Sequence, residues 1–240
     1  MKDTIYRKTD EPIKPFEFDQ KVTDVFPDMI KRSVPGYPLT ISMISVLADN
    51  YVQNDSNIYD LGCSLGAVTF AIQQSLNNKQ CKIISVDNSK AMIDACQNIH
   101  LQEKTGIEIE FVNEDIVNTE INNASVVVLN FTLQFVPLDK RLTLLEKIYK
   151  GLLPGGVLIL SEKIHFEDEQ EETIMMDLHH HMKALNGYEK MEIANKRDAL
   201  EKVLIPETID AHQQRLNDAG FEQSYIWLRC LNFVSMIAFK

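Results

Sequence analysis

The sequence predicts an α/β fold: a doubly wound, Rossmann-like sheet of mostly parallel strands with an antiparallel C-terminal strand pair. Short apolar runs alternate with helical patterns along residues 57–160, which is typical of parallel βα units. A glycine turn at residues 62–66 joins the first run to its helix. Residues 221–239 hold two strand-like runs with a short connection, which favours antiparallel pairing.

The N-terminal quarter of the chain precedes the first predicted strand. Residues 1–20 contain prolines and several charges, and we predict an irregular arm there. The pattern over residues 21–33 predicts a short helix broken at Pro27. Thr40 is predicted to cap a second helix that ends near Tyr51.

The central elements alternate in type. The apolar runs predict strands over residues 57–61, 82–86, 107–112, 124–129 and 157–160. The 3.6-residue periodicity predicts helices over residues 66–76, 89–104 and 138–150, with a turn at 154–156. The run 124–129 is continuously apolar, as expected for a strand buried on both faces of a sheet.

Helical periodicity returns after the fifth strand, over residues 168–185, 189–204 and 206–218, and two strands over 221–228 and 230–239 follow. No stretch rich in proline, glycine and serine divides the chain. We therefore predict one domain over residues 1–240, with an N-terminal arm and helices over 1–51 and a helical insertion over 165–218.

The composition limits which classes of partner this chain can bind. It has 240 residues and a net charge of −11, with 24 lysines and arginines against 35 acidic residues and no basic block. Proteins that bind nucleic acid cluster basic side chains against phosphates, so direct binding to tRNA or DNA is not expected. No apolar stretch approaches the roughly 20 residues of a membrane span. The four cysteines are scattered, which predicts reduced thiols and a cytoplasmic location.

The glycine turn and the next strand resemble half of a nucleoside-binding βαβ unit. Gly62 follows the first strand, and Asp87 ends the second, where a carboxylate can meet a pair of ribose hydroxyls. A dinucleotide fingerprint would place two further glycines where this chain has Ser64 and Ala67. The turn therefore indicates a nucleoside without a pyrophosphate.

The same segment resembles the first motif of class I S-adenosylmethionine (SAM) enzymes, because Asp60 lies two residues before Gly62 and the last glycine is Gly66. SAM carries no phosphate, and turn amides and carboxylates can receive its amino-acid end. The antiparallel C-terminal strand pair also fits this class.

Polar residues follow the strands in the order that a SAM site requires. In open α/β sheets, ligands bind beyond the carboxyl ends of the strands. Asp87 and Asn88 are predicted to bind the ribose and to lie beside the adenine, Asp115 and the Ile116 amide to meet the adenine edge, and Asn130 to lie near the sulfonium.

Two features of the C-terminal half are ambiguous. His179, His180 and His181 are adjacent on a predicted helix, so they point in different directions and no metal is expected there. Arg197 falls on an apolar stripe with Ile193, which favours a buried ionic partner. That partner is either a ligand carboxylate or an acidic side chain of this chain, unless the guanidinium reaches water.

Longer strings extend the resemblance over nearly the whole chain. Residues 32–37, 59–66, 86–89, 128–135 and 160–163 resemble the carboxy-S-adenosyl-L-methionine (carboxy-SAM) synthases, bacterial enzymes of a tRNA wobble-uridine pathway. The resemblance implies ligand contacts by ten residues, which are Tyr37, Gly62, Cys63, Ser64, Asp87, Asn88, Asp115, Ile116, Asn130 and Arg197.

The resemblance implies that prephenate donates a carboxyl group to SAM, giving carboxy-SAM and phenylpyruvate without a metal. Arg197 would then pair with the new carboxylate, and Tyr37 would add a hydrogen bond and cover the site. The family also implies a homodimer joined through residues 168–218 and a partner enzyme that uses carboxy-SAM on tRNA.

Two other functions remain open on the sequence. A small-molecule SAM-dependent methyltransferase would share the fold and could use Arg197 on an acceptor carboxylate. A non-catalytic SAM-binding protein would share the site without turnover.

Overall fold

The structure, a computed structural model, describes residues 1–7, 16–76, 79–100, 107–200 and 203–240. Its strands form one sheet in the order β3-β2-β1-β4-β5-β7-β6. The strands are β1 (Ser56–Leu61), β2 (Cys81–Asp87), β3 (Glu108–Asn113), β4 (Ala124–Asn130), β5 (Leu152–Lys163), β6 (Gln223–Cys230) and β7 (Phe233–Phe239). The helices are α1 (Gln20–Ser33), α2 (Tyr37–Tyr51), α3 (Ala67–Ser75), α4 (Lys90–His100), α5 (Leu138–Gly151), α6 (Glu169–Leu185), α7 (Lys190–Leu200) and α8 (Ile209–Asp218).

The predicted fold class is confirmed. Strands β1 to β5 pair in parallel, and β7 runs antiparallel to both β5 and β6. The chain builds outward from β1 to β3 and then returns to place β4 beside β1. This reversal of strand order opens a crevice beyond the carboxyl ends of β1 and β4, where ligands of such sheets bind.

The strand β4 is the centre of the hydrophobic core. Val127 and Leu129 pack on the face covered by α5 and α8, while Val126 and Val128 pack on the face covered by α2 and α3. All four side chains are fully buried. The continuous apolar run predicted a strand buried on both faces, and the two core clusters confirm it.

The helix α1 is continuous through Pro27, so the predicted break is wrong. A proline removes only the hydrogen bond of its own missing N–H and strains one turn. Asp19 caps the helix by accepting from Val22 N–H at 2.9 Å, and α1 buries Val25 and Met29 in an apolar cluster. The cap and the buried face offset the loss at Pro27.

The cap predicted at Thr40 is also wrong, because α2 begins three residues earlier. Gly36 is the N-cap residue, with φ of 73°, and Pro38 occupies the first turn, where its missing N–H costs nothing. Thr40 is inside the helix, and its hydroxyl donates to Gly36 O at 3.2 Å.

The strand β5 is longer than predicted and includes the segment 154–156, where a turn was expected. Gly155 N–H donates to Lys240 O, and Lys240 N–H donates to Gly156 O, so both glycines continue the pairing with the chain's last residue. A register shift between Ala124 and Val126 absorbs the irregular backbone.

The helices and strands after β5 follow the prediction with small shifts at their ends. Helix α7 is described over Lys190–Leu200, with residues 201–202 outside the described ranges, and α8 begins at Ile209 behind the N-cap Thr208. Among the strands, β7 is inserted between β5 and β6 and is buried, while β6 forms the edge. The predicted helix end at residue 104 lies outside the described residues, and so do residues 8–15 of the arm. No helix in the described ranges is long and apolar enough to span a membrane.

Candidate functional site

A cavity of about 440 Å³ lies beyond the carboxyl ends of β1, β2, β4 and β5. This volume is within the range of roughly 300–1,000 Å³ common to small-molecule sites. Nine of the ten predicted ligand positions line it, and these are Tyr37, Gly62, Cys63, Ser64, Asp87, Asn88, Asp115, Ile116 and Asn130.

The turn after β1 depends on Gly62, whose φ is 81°. A Cβ atom on this residue would come within 2.4 Å of the Thr132 side chain, so a glycine is required by space as well as by backbone angle. The Gly62 and Cys63 amides both donate to Val86 O, at 2.8 and 3.0 Å. The turn is thereby fastened to β2, and Ser64 is held against the cavity.

The carboxylate of Asp87 joins this turn to the next one. Its Oδ2 accepts from Ser64 N–H at 2.9 Å, and its Oδ1 accepts from Ser89 N–H at 2.8 Å. Burial raises the pKa of Asp87 against the opposing effect of these two amides. Each carboxylate oxygen retains a second lone pair, so the rigidly held group can still accept from two ligand hydroxyls.

The carboxylate of Asp60 supports the turn from within the sheet. Its Oδ2 accepts from Thr69 N–H at 3.1 Å and from the Thr69 hydroxyl at 2.6 Å, at the start of α3. Burial raises the pKa of Asp60 to about 6, while the two bonds from Thr69 lower it. Asp60 therefore orients the helix that carries the glycine turn.

The loop after β3 supplies the hydrogen-bonding groups expected for an adenine edge. Asp115 Oδ1 accepts from Val117 N–H at 3.0 Å, and its other oxygen makes no bond within the described ranges. Ile116 is buried, and its N–H donates to no residue that the structure describes. One acceptor and one donor thus face the cavity on adjacent residues.

The buried Oδ1 atom of Asn130 has no hydrogen-bond partner among the described residues. Such an atom costs about 1–3 kcal/mol unless a ligand or water donates to it. Asn130 ends β4 at the centre of the cavity, so this oxygen fits a cationic N–H donor such as the amino group of SAM.

Tyr37 closes the cavity from the start of α2. Its ring lies 6.3 Å from the ring of Phe131, which has a positive φ of 59° and follows Asn130 directly. Burial raises the pKa of the Tyr37 phenol well above its ordinary value, so the hydroxyl keeps its proton and can donate.

Arg197 does not line the cavity in this chain. Its side chain is 59% exposed, bonds Asp198 through the guanidinium and borders a groove between α6 and α7. The predicted buried stripe is wrong for this residue, because α7 turns the adjacent Lys196 inward instead. In this structure the guanidinium reaches water and bonds the exposed Asp198, and its pairing with a ligand carboxylate stays a prediction.

The sequence did not identify four polar side chains at the far end of the cavity: Lys163, His179, Lys183 and Lys196. They come from β5, α6 and α7, and only His179 and Lys183 share an element, at i and i+4. That spacing places both side chains on one face of α6 and was the one sequence feature that could have indicated this group. The run of three adjacent histidines drew attention to metal binding instead.

These side chains give the cavity a cationic end. Burial, together with neighbouring cations, lowers the pKa of Lys183 to about 7 and that of Lys196 to about 8, and Asp3 opposes the shift at Lys196. Burial also lowers the pKa of Lys163. His179 donates from Nε2 to Ser33 O at 2.7 Å, and burial lowers its pKa to about 3, so it stays neutral.

The three adjacent histidines have different surroundings. His179 is buried beneath Phe233 with its ring 6.3 Å from that of His180, whereas His180 and His181 border the groove between α6 and α7. Among the residues that the structure describes, no three His, Cys, Asp or Glu side chains are placed to hold a metal ion.

The fold and the site define a class of protein. Residues 58–156 match the family model of a methyltransferase domain. A putative SAM-dependent methyltransferase from Methanococcus maripaludis superposes with a TM-score of 0.62 at 16% identity, covering 97% of each chain. Human N-acetylserotonin methyltransferase, solved with SAM, gives a TM-score of 0.63 at 18% identity, over 92% of this chain and 55% of that one. The chain has the SAM-methyltransferase fold.

The nearer relatives narrow this class to one family. The chain is 50% identical to the carboxy-S-adenosyl-L-methionine synthase of Aliivibrio fischeri strain MJ11 over 99% of its length and 98% of the relative's. The synthase of Pseudoalteromonas translucida is 51% identical over 100% and 99%, and that of Marinobacter nauticus is 52% identical over 94% and 90%. The chain belongs to the carboxy-S-adenosyl-L-methionine synthase family, whose members are transferases.

Proposed function

We propose that the protein converts SAM and prephenate to carboxy-SAM and phenylpyruvate. The observation that carries the proposal is the division of one cavity into two ends. Polar groups suited to a nucleoside and an amino acid surround one end, and three lysines surround the other. Together with the family membership, this arrangement supports the joining of a cationic substrate and an anionic one.

The protein's own residues have separate tasks in binding SAM. Asp87 accepts from the ribose hydroxyls, Asp115 and the Ile116 amide bind the adenine edge, and Asn130 Oδ1 accepts from the substrate's amino group. Tyr37 covers the sulfonium and donates from its protonated hydroxyl. The support for these roles is the lining of the cavity and the unpaired buried atom of Asn130.

The reaction balances without an added base. Prephenate loses its ring carboxyl group as CO₂, the electron pair of the broken C–C bond makes the ring aromatic, and the ring hydroxyl leaves as hydroxide. The hydroxide takes a proton from the sulfonium methyl, giving water and an ylide carbon that attacks CO₂. The protein holds the reactants together and excludes water, which would otherwise protonate the ylide.

We also propose that the product serves a tRNA carboxymethyltransferase in the cytoplasm, where tRNA wobble uridine is modified. The chain itself carries a net charge of −11, which opposes direct tRNA binding. This charge supports a pathway in which this protein makes carboxy-SAM and the partner enzyme binds tRNA.

A homodimer joined through α6 and α7 is the further part of this proposal. Ile174, Leu178 and Leu185 are exposed along one side of α6, and Met191 is exposed on α7. Arg197 borders the same region and points away from its own cavity. If Arg197 pairs with the new carboxylate, it does so in a partner's cavity or after α7 moves.

The test is an incubation of the purified protein with SAM and prephenate carrying a labelled ring carboxyl group. Mass spectrometry is expected to show the label in carboxy-SAM and to show phenylpyruvate in equal amount. S-adenosylhomocysteine as the main product would favour a methyltransferase. Bound but unchanged SAM would favour a non-catalytic SAM-binding protein.

A further inference from the structure

We infer that Lys163, Lys183 and Lys196 form the subsite that binds the carboxylates of the carboxyl donor, so this end of the cavity takes a dianion. The inference deepens the proposed function and rests on it for the dianion's identity as prephenate. The inference is based on the geometry of the cavity, because the three lysines line it from β5, α6 and α7.

Two of these lysines have no bonded partner among the residues that the structure describes. Within the described ranges, the Nζ atoms of Lys163 and Lys183 make no hydrogen bond or ion pair, although both side chains line the cavity. Glu172 raises the pKa of Lys163 from a distance, but it forms no ion pair with it. Both ammonium groups therefore have donors free for a ligand.

The third lysine is positioned by neighbouring groups. Lys196 Nζ donates to Ser33 Oγ at 3.0 Å and lies 3.7 Å from Asp3 Oδ2, while its ammonium lies 5.3 Å from the centre of the Tyr188 ring. Asp3 offsets one positive charge of the cluster and leaves the other two. The two remaining positive charges equal the two carboxylates of prephenate in number and are opposite to them in sign.

The electrostatic cost of this cluster is the second argument. Burial lowers the pKa of Lys183 most, and Lys196 and Lys163 lie close enough to contribute to the shift. Burying like charges together destabilises a protein unless a counter-ion occupies the site. His179 stays neutral beside them and adds no charge, and His180, whose pKa is also lowered, lies toward the groove.

The position of the subsite suits the reaction. Lys163 is the last residue of β5, and β5 pairs with β4, whose last residue Asn130 is paired with Ser161. A donor held by the lysines therefore lies beside the end of SAM that Asn130 marks. Lysine also suits this step, since a compact ammonium with rotating donors can follow a carboxylate as it becomes CO₂.

The experiment compares Lys163→Met and Lys183→Met with the control Lys31→Met, which removes an exposed lysine from the outer side of α1. The KM for prephenate is measured by carboxy-SAM formation, and the Kd for SAM by calorimetry. We expect each cavity variant to raise the KM for prephenate about tenfold or more and to change the Kd for SAM less than about threefold. The control is expected to leave both unchanged.

Thermal stability separates ligand binding from a structural role. Because each substitution removes a partly buried cation that has no bonded partner among the described residues, the ligand-free variants should melt at the same temperature as the wild type or higher. A lower melting temperature with equal loss of both ligands would overturn the inference. So would an unchanged KM for prephenate in both variants.

The pH dependence gives a further readout. The free Lys183 ammonium loses its proton near pH 7, so the KM for prephenate in the wild type should rise from about pH 6.5 to about pH 8.5. Lys183→Arg keeps its charge over this range, and its KM should rise less. An equal rise in both proteins would count against Lys183, because titration of SAM or of another residue is common to both.

Prephenate binding without turnover distinguishes this inference from the proposed function. Calorimetry is performed on protein saturated with S-adenosylhomocysteine, which has no sulfonium methyl. Binding by the wild type and loss in Lys183→Met would uphold the subsite even if no carboxy-SAM forms. Carboxy-SAM formation by the wild type, with unchanged prephenate binding in the lysine variants, would uphold the proposed function and reject the subsite. No binding by the wild type would reject the subsite.

Discussion

At the scale of single residues, the site is built from carboxylates with different neighbours. Asp60 accepts two hydrogen bonds from Thr69 and thereby supports a helix. Asp87 accepts one amide from each of two turns and has lone pairs left for a ligand in the cavity. Glu162, fully buried near the end of β5, accepts from Leu133 N–H at 3.0 Å with one oxygen. The hydrogen bonds, not the residue type, distinguish the ligand-binding carboxylate from the structural ones.

Replacing Asp87 with alanine should abolish most SAM binding while the chain stays folded. Two hydrogen bonds from a ribose to a buried carboxylate contribute on the order of 1.5–3 kcal/mol, which is more than tenfold in affinity. Calorimetric titration with SAM measures the loss, and Asp94→Ala, on the exposed side of α4, is the control. An unchanged affinity would remove Asp87 from the site.

Glu162 should make stability depend on pH in the neutral range. Burial raises its pKa from 4.5 to about 8, so the unfolded chain ionises this carboxyl at lower pH than the folded chain does. Its contribution to stability is fully present below about pH 4.5 and is lost as pH rises through about 8.

The variant Glu162→Gln keeps an acceptor for Leu133 N–H and cannot ionise. Melting temperatures measured between about pH 5 and pH 8 should therefore fall less with rising pH in this variant than in the wild type. If melting temperature fell equally with pH in the two proteins, Glu162 would not change its protonation state differently in the folded and unfolded chains over this range, and the prediction would be wrong.

At the scale of elements, the errors of sequence reasoning have a common physical cause. The strands were predicted well because buried parallel strands are marked by continuous apolar runs. Helix α7 was predicted, but the residues facing inward were not, because its buried face includes Glu192, Asn195 and Lys196. Glu192 accepts from Glu189 N–H, Asn195 donates to Tyr6 O, and Lys196 lines the cavity. Polar side chains therefore occupy the inner face of this helix, and the apolar periodicity selects Arg197 instead of its neighbour.

Replacing Pro27 with alanine should stabilise the protein by about 2 kcal/mol. Alanine restores an N–H for the bond to Thr23 O and relieves the strain of the ring, which outweighs the greater freedom of the unfolded chain. Pro27 is exposed, so little packing is lost. Thermal denaturation measures the change, with Lys31→Ala as a control in the same helix. A lower melting temperature would show that the proline ring makes a contact that α1 needs.

At the scale of the whole molecule, the ends of the parallel strands were the predictable part of the site. Local sequence specifies Gly62, Asp87, Asp115 and Asn130, because each ends a strand or lies within two residues of a strand end, and the sheet brings those ends together. The lysine cluster was not predictable, since it depends on how β5, α6 and α7 pack far from one another in sequence. The same packing turns Arg197 outward.

The outer surface of α6 gives the last prediction, that the protein is a homodimer joined through this helix and α7. Leu178 is 48% exposed and Leu185 75%, on the same side of α6 as the exposed Ile174, and a contiguous apolar surface favours association. Leu178→Glu would place a charge in that contact and should convert the dimer to a monomer in sedimentation velocity. Val46→Glu, at an exposed position on α2, is the matched control and should stay dimeric. If Arg197 acts in the partner's cavity, Leu178→Glu should also weaken carboxy-SAM binding more than SAM binding. A wild type that sediments as a monomer at micromolar concentration would rule out the dimer and leave movement of α7 as the route by which Arg197 could reach a ligand.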